Sequence, residues 1–296
     1  MNSFNTHELG KLNPTELDNL AEYYKSQKQY DKAKLFYIEA LKTRKQLFNS
    51  DHPELAMNLN NLAKLYQDKG DHLKDLAEYS KSQKQYNKAE PFYIEALEMY
   101  KRLFREDHID IVASLNNLAI FYVNQEKYTE AEPFYIEALE MCKQLFKEDH
   151  LDLAIVLNNL AKLHSSQGRY FKAKSLYAES LKMKKRLLGD DHLSVAADLD
   201  NLAKFYENYE RYTEAESFYI EALEMRKRLF NGDHLDVVSN LHDLAIFYET
   251  HERCAEFKFF RTEALEMYKR LSNEKHAPPF LFIQKMGLTP RLLEQL

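Results

Sequence analysis

DHIDIVASLNNLAIFYVNQEKYTEAEPFYIEALEMCKQLFK, residues 107–147, holds the pattern that decides the fold. Its first half places Val112, Leu115, Leu118, Ala119 and Tyr122 at i, i+3, i+4 spacing, which makes one apolar stripe on a helix. Its second half does the same with Ala131, Tyr135, Ala138, Leu139, Cys142 and Phe146. Residues 125–128 between them are a polar turn, short enough to make the two helices antiparallel neighbours. Asp107 reads as the helix cap, with Asp110 three residues on at the capping-box spacing. Asp51/Glu54, Asp149/Asp152 and Asp233/Asp236 repeat that device, whereas Asp191 meets Ser194.

The stretch recurs along nearly the whole chain. Asp-His pairs stand at Asp51-His52, Asp107-His108, Asp149-His150, Asp191-His192 and Asp233-His234, with Lys275-His276 as a degenerate copy. From His108 onward each marker follows the last by 42 residues. A length of 296 residues suggests about two domains, but an internal repeat overrides that expectation. Only 6 Gly and 7 Pro leave few obligatory turns, so the composition with this period reads as all-α.

The motif Leu115-x2-Leu118-Ala119-x2-Tyr122, followed by Ala131-x3-Tyr135-x2-Ala138, resembles the tetratricopeptide (TPR) pattern, with Leu for the first Trp and Ala for the Gly. The longer unit, with its Asp-His start, LNNLA and AEPFY, is similar to the repeats of kinesin light chain, over about residues 17–269. The resemblance implies a right-handed α-solenoid of antiparallel helix pairs whose first-type helices line a concave groove.

Two places depart from regularity. Residues 73–86, LKDLAEYSKSQKQY, copy residues 17–30, LDNLAEYYKSQKQY, and Ala89 follows Ala33 by 56 residues instead of 84. This predicts a lost second helix, a turn at Lys69-Gly70-Asp71, and an odd helix that dislocates the stack near residues 68–86. The domain expectation is a single solenoid: residues 14–71 as the first unit plus an isolated helix, 72–275 as the main repeats, and 276–296 as a degenerate C-terminal cap. Residues 1–13 read as frayed, with Asn13-Pro14 starting the first helix. Cys254, Phe257 and Arg261 replace Tyr212, Ala215 and Tyr219, as decay towards a terminal unit would. Pro278-Pro279 would start a short helix, and the tail could instead fold back into the groove.

Opposite the apolar stripe, the first helix carries Asn116, Asn117, Ile120 and Asn124. The other units place Asn60, Asn61, Lys64 and Asp68; Asn158, Asn159, Lys162 and Ser166; Asp200, Asn201, Lys204 and Asn208; and His242, Asp243, Ile246 and Thr250 at the same phase. Asn is a mediocre helix former, so its repetition in mid-helix calls for a reason. One reason is structural, tying neighbouring helices together. The other comes with the resemblance, which implies an Asn ladder gripping an extended peptide backbone at Asn61, Asn117, Asn159 and Asn201. The candidate groove set is therefore Asn61, Lys64, Asn116, Asn117, Asn124, Asn158, Asn159, Lys162, Asn201, Lys204 and Asn208. Its lysines would favour a protein or peptide partner with acidic residues.

Other chemistry finds little support. There is no phosphate-cradling Gly loop, zinc motif or nucleophile elbow, so the expectation is no enzyme, no cofactor and no metal. The repeated His belong to different units, whose helix axes lie about 8–10 Å apart, and read as capping and packing residues rather than ligands. A net charge of −6 with interleaved signs argues against nucleic acid, and no apolar run suggests a membrane partner. The start MNSFNTHELGKLNP shows no basic-then-apolar signal, and Cys142 and Cys254 read as buried or partly buried thiols, so a cytoplasmic setting is expected. The alternative function is an assembly scaffold working through its convex face or ends.

Overall fold

The computed structural model describes residues 12–75 and 79–273. Among them twelve helices and no strand form, in two compact units, Met1–Glu148 and Asp149–Leu296. The first unit holds α1 (Pro14–Ser26), α2 (Tyr30–Leu47), α3 (Pro53–Asp75), α4 (Tyr79–Leu103), α5 (Ile109–Asn124) and α6 (Tyr128–Leu145). The second holds α7 (Leu151–Ser166), α8 (Tyr170–Leu188), α9 (Leu193–Asn208), α10 (Tyr212–Phe230), α11 (Leu235–Thr250) and α12 (Cys254–Asn273). Each odd-numbered helix packs on the even-numbered helix after it, and successive pairs stack within each unit. No helix among the described residues is long and apolar enough to cross a membrane. The expected fraying lies outside the described residues up to residue 11. The cap, the short helix and the folded-back tail at 276–296 lie outside them altogether.

The stripes read from the sequence form the core. Leu115, Leu118, Ala119 and Tyr122 of α5 are buried against Ala131, Tyr135, Ala138 and Cys142 of α6. Burying each large side chain contributes about 1.5–3 kcal/mol. One aromatic contact recurs inside the helix pairs as parallel stacks: Tyr24 on Phe36, Tyr66 on Phe92, Tyr122 on Phe134, Tyr206 on Phe218 and Tyr248 on Phe260, with centroids 5.3–5.9 Å apart. Cys254 departs from expectation: Cys142 is buried, but Cys254 is exposed where α12 begins.

The helix starts divide the Asp-His pair in a way the spacing did not predict. The cap is the histidine: Nδ1 of His108, His150, His192 and His234 accepts from the backbone N–H two residues on, at 3.1–3.3 Å. The ring of His52, His108 or His234 also stacks on the Phe four residues earlier, with centroids 3.5–3.6 Å apart. Capping and packing by His is therefore what the structure shows. The aspartate is freed for another task, since Asp149, Asp191 and Asp233 grip Arg186, Arg228 and Arg270 near the end of the second helix of their own unit. Asp51 does the same with Arg102. The expected Asp cap is thus displaced by one residue. Among the helices whose caps are described, only α1 keeps a reciprocal box, between Asn13 and Glu16.

The irregular region differs from expectation too. Lys69-Gly70-Asp71 is not a turn, and no odd helix follows; α3 runs through it as 23 residues and α4 answers with 25. The regular pair α5/α6 has 16 and 18, so each member of the long pair gains seven. Seven residues fall only about 20° short of two full turns, so the added length keeps each stripe in phase. What looked like a unit short by 28 residues is one unit with 14 inserted at the tip of its helix pair. Gly70 serves close packing: a Cβ there would lie 2.6 Å from Cε1 of the buried Tyr86 ring. Ser82 Oγ donates to the Gly70 carbonyl at 2.8 Å, and Tyr86 donates to Asp71 at 2.7 Å.

Candidate binding surface

Several of the paired polar positions of the first-type helices are tied to neighbouring helices through their first member. In the first unit Asp18 meets Arg44 Nη2 at 2.7 Å and accepts from Asn58 Nδ2 at 3.0 Å. In the second unit Asp200 meets Arg226 at 2.5 Å and accepts from Asn240 Nδ2 at 3.0 Å. The two triads join three helices each, α1–α2–α3 and α9–α10–α11. Burial pushes the Asp18 carboxyl up despite the Arg44 guanidinium beside it. Asn158 is only 9% exposed, and the side-chain oxygens of Asn60 and Asn158 are buried without a partner. A neighbouring position is equally interior: Lys184 reaches Asp198 at 2.7 Å, and Ser180 donates to the same carboxylate at 3.0 Å.

The second of each pair borders the open face. In the first unit Asn61, Asn116 and Asn117 are partly buried, Lys64 is exposed, and Asn124 lies 3.4 Å from Asp71 on the lengthened α3. In the second unit Asn159 and Asn201 are partly buried, while Lys162, Lys204 and Asn208 are exposed. The second-position Asn residues therefore share one register on α3, α5, α7 and α9 with a lysine three residues on in three of them. Sequence reasoning missed the apolar residues one and two turns earlier on the same face. Met57, Leu151, Ile155 and Leu193 are each 38–42% exposed. Their signal is in the sequence, since they precede the Asn by four or eight residues. Between α9, α10 and α11 the surface turns acidic: Asp200, Asp236 and Asp243 with Arg226, Leu193 and Ala197 border a 280 Å³ hollow.

Models of the tetratricopeptide repeat match residues 14–74, 71–110, 110–186, 152–208 and 196–270. The chain belongs to the tetratricopeptide repeat family. This TPR chain is similar in fold to BtubC (BKLC) from P. vanneervenii, at 19% identity over 84% of this chain and 94% of that one, with a TM-score of 0.62. It is likewise similar to a Podosopora anserina kinesin light chain with nearly identical TPR-like repeats (18% identity, 75% and 98% covered, TM-score 0.60). A Rap protein in complex with Competence and Sporulation Factor also matches (18%, 90% and 79% covered, TM-score 0.54). No curated protein matches it at the sequence level. TPR repeats resembling those of kinesin light chain are thus established, and the fold supports a protein–protein interaction scaffold.

Proposed function

We propose that the chain is a non-catalytic scaffold whose first-type helices, within each unit, grip extended segments of a protein partner through a column of amides. The observation that carries this reading is the common register of Asn61, Asn117, Asn159 and Asn201, bordered by Lys64, Lys162 and Lys204. An amide offers donors and an acceptor at once, which matches the alternating groups of an extended backbone. The lysines add a preference for acidic residues, and Met57, Ile155 and Leu193 add apolar contact. Asn158 has a supporting role in this reading, because it is buried, while the partly buried Asn116 flanks Asn117. The fold-similar Rap protein complexed with Competence and Sporulation Factor supports a ligand-carrying scaffold in general. The exposed Cys254 thiol fits a reducing, cytoplasmic setting.

Peptides selected from a displayed random library on the intact chain provide the probe. Replacing Asn117, Asn159 and Asn201 together by Ala removes three net hydrogen bonds of about 1 kcal/mol each, so affinity should fall by roughly a hundredfold. The melting temperature should stay within about 3 °C, since partly exposed side chains contribute little to folding. Undiminished affinity in the triple variant would sink the amide column.

A further inference from the structure

We propose a second docking site in the second unit, where α8 takes an acidic, apolar-tipped segment of a partner protein. It stands on a cleft of about 470 Å³ between α8, α9 and α10, independent of the amide column. Its floor is apolar, made by Ala178, Leu181, Leu202, Tyr206 and Phe218, and its rim carries Lys174, Lys182, Lys185 and Arg186 against one acid, Asp190.

The repeat supplies the internal control. Along one face of α8 run Phe171, Lys174, Ala178, Lys182 and Lys185, spaced by three and four. The same register reads Thr129, Glu132, Ile136, Glu140 and Lys143 on α6, and Thr213, Glu216, Ile220, Glu224 and Lys227 on α10. Two glutamates have become lysines, an isoleucine has shrunk to alanine, and a threonine has become a phenylalanine that is 84% exposed. α2 shares lysines at Lys34 and Lys42 but keeps Ile38 and Asp31. Among these second-type helices, α8 combines reversed charge, an emptied floor and a solvent-facing aromatic.

The combination defines the occupant. Lys185 is engaged by Glu221 at 3.1 Å and Arg186 by Asp149 at 2.5 Å, whereas Lys174 and Lys182 stand exposed, Lys174 over the Tyr170 and Tyr206 rings. Eight helical residues separate these two lysines, or about 12 Å. A segment with acids about that far apart and a Leu or Phe between them would pair both charges and fill the space that Ile takes on α6 and α10. A flat anionic membrane could reach the lysines but not the floor, and an acidic homopolymer has nothing to place in it.

Fluorescence anisotropy on the intact chain tests this, with a labelled 14-residue peptide carrying one Leu between Glu residues, polyglutamate, and phosphatidylserine vesicles as probes. The Leu peptide should bind, and K174E/K182E should weaken it about tenfold or more by restoring like charge. A178I should weaken it by a similar factor by refilling the floor. Both variants install residues that neighbouring units already carry, so they should keep the wild-type circular dichroism. The Asn117, Asn159 and Asn201 triple variant should bind the probe like wild type, which separates this site from the amide column. Binding unchanged in A178I or K174E/K182E, or polyglutamate or vesicles bound as tightly as the peptide, overturns the proposal.

Discussion

Asp18, Arg44 and Asn58 reappear 182 residues later as Asp200, Arg226 and Asn240, so each unit contains the same three-helix lock. The copies are not closed equally. Arg226 Nη1 donates to Asn240 Oδ1 at 3.0 Å, whereas the corresponding atoms, Arg44 Nη1 and Asn58 Oδ1, are buried without partners. Arg44 instead sends its Nε to Glu54 at 3.1 Å. The Arg44 side chain is 2% exposed and that of Asp18 13%, so removing the cation leaves a poorly solvated carboxylate. Arg44→Met should lower stability by about 3 kcal/mol in urea unfolding, and pairing it with Asp18→Leu should recover much of the loss, since an apolar pair has no charge left to desolvate. A single variant as stable as wild type would mean that the pair adds nothing. At this scale the sequence was partly readable. Amphipathic period identifies what is buried, but it does not say which member of Asn158-Asn159 faces inward, because adjacent helix positions differ by about 100° and only the neighbour decides.

The helix pair is the element the repeat specifies best, and α3/α4 shows where that reading stops. Gly70 looked like a turn, yet Leu62, Leu65, Tyr66 and Leu73 continue a single stripe straight through it. The copied LAEY segment misled because two turns of helix return the stripe to almost its starting phase, so a lengthened helix and a fresh one look alike. Glycine here answers to the Tyr86 ring rather than to a chain reversal. Deleting residues 69–82 should therefore yield a regular unit. The join reads Tyr66-Gln67-Asp68-Gln83-Lys84-Gln85-Tyr86, which has the length of Tyr122–Tyr128 in the next unit and shares its Tyr-x2-Gln-x2-Tyr frame. The deletion variant should remain folded, with mean residue ellipticity close to wild type and a cooperative melt within about 10 °C of it, given that only tip contacts are lost. A non-cooperative melt would restore the odd-helix reading. The Asp-His pair carries a similar lesson, since capping-box spacing was present but the imidazole one residue later reached the N–H first.

Across both units the molecule buries tyrosines in quantity. Burial, aided in several cases by a glutamate acceptor, raises the phenols of Tyr37, Tyr93, Tyr122, Tyr135, Tyr177, Tyr219 and Tyr248, and pushes Tyr100 up to about 12. The unfolded chain releases these protons near the ordinary value of 10.0, whereas the folded chain holds them. Stability from this source is therefore complete below about pH 10 and is lost as pH rises beyond it. Melting temperatures followed from pH 8 to 12 should fall steeply above 10, and tyrosinate absorbance should rise together with the loss of helix rather than before it. Early titration of most of the 20 tyrosines, with helix intact, would show the phenols to be solvated. The fold class was the most legible property of all, because every unit repeats the same evidence. The partner was the least legible, because the fold uses most of each unit and leaves only a few residues per helix to vary.

The seven-plus-seven lengthening of α3 and α4 also sets a rule for how such a chain can grow. A hairpin of helices tolerates new length at its tip in steps that return both strands of the hairpin to their original azimuth. Fourteen residues is the smallest step near that condition, and a step that leaves either helix far from a whole number of turns would turn its stripe away from its neighbours. The tip of any pair is therefore a natural port for grafting, where a foreign epitope or reporter of commensurate length could be spliced in while the adjoining repeats keep their alignment.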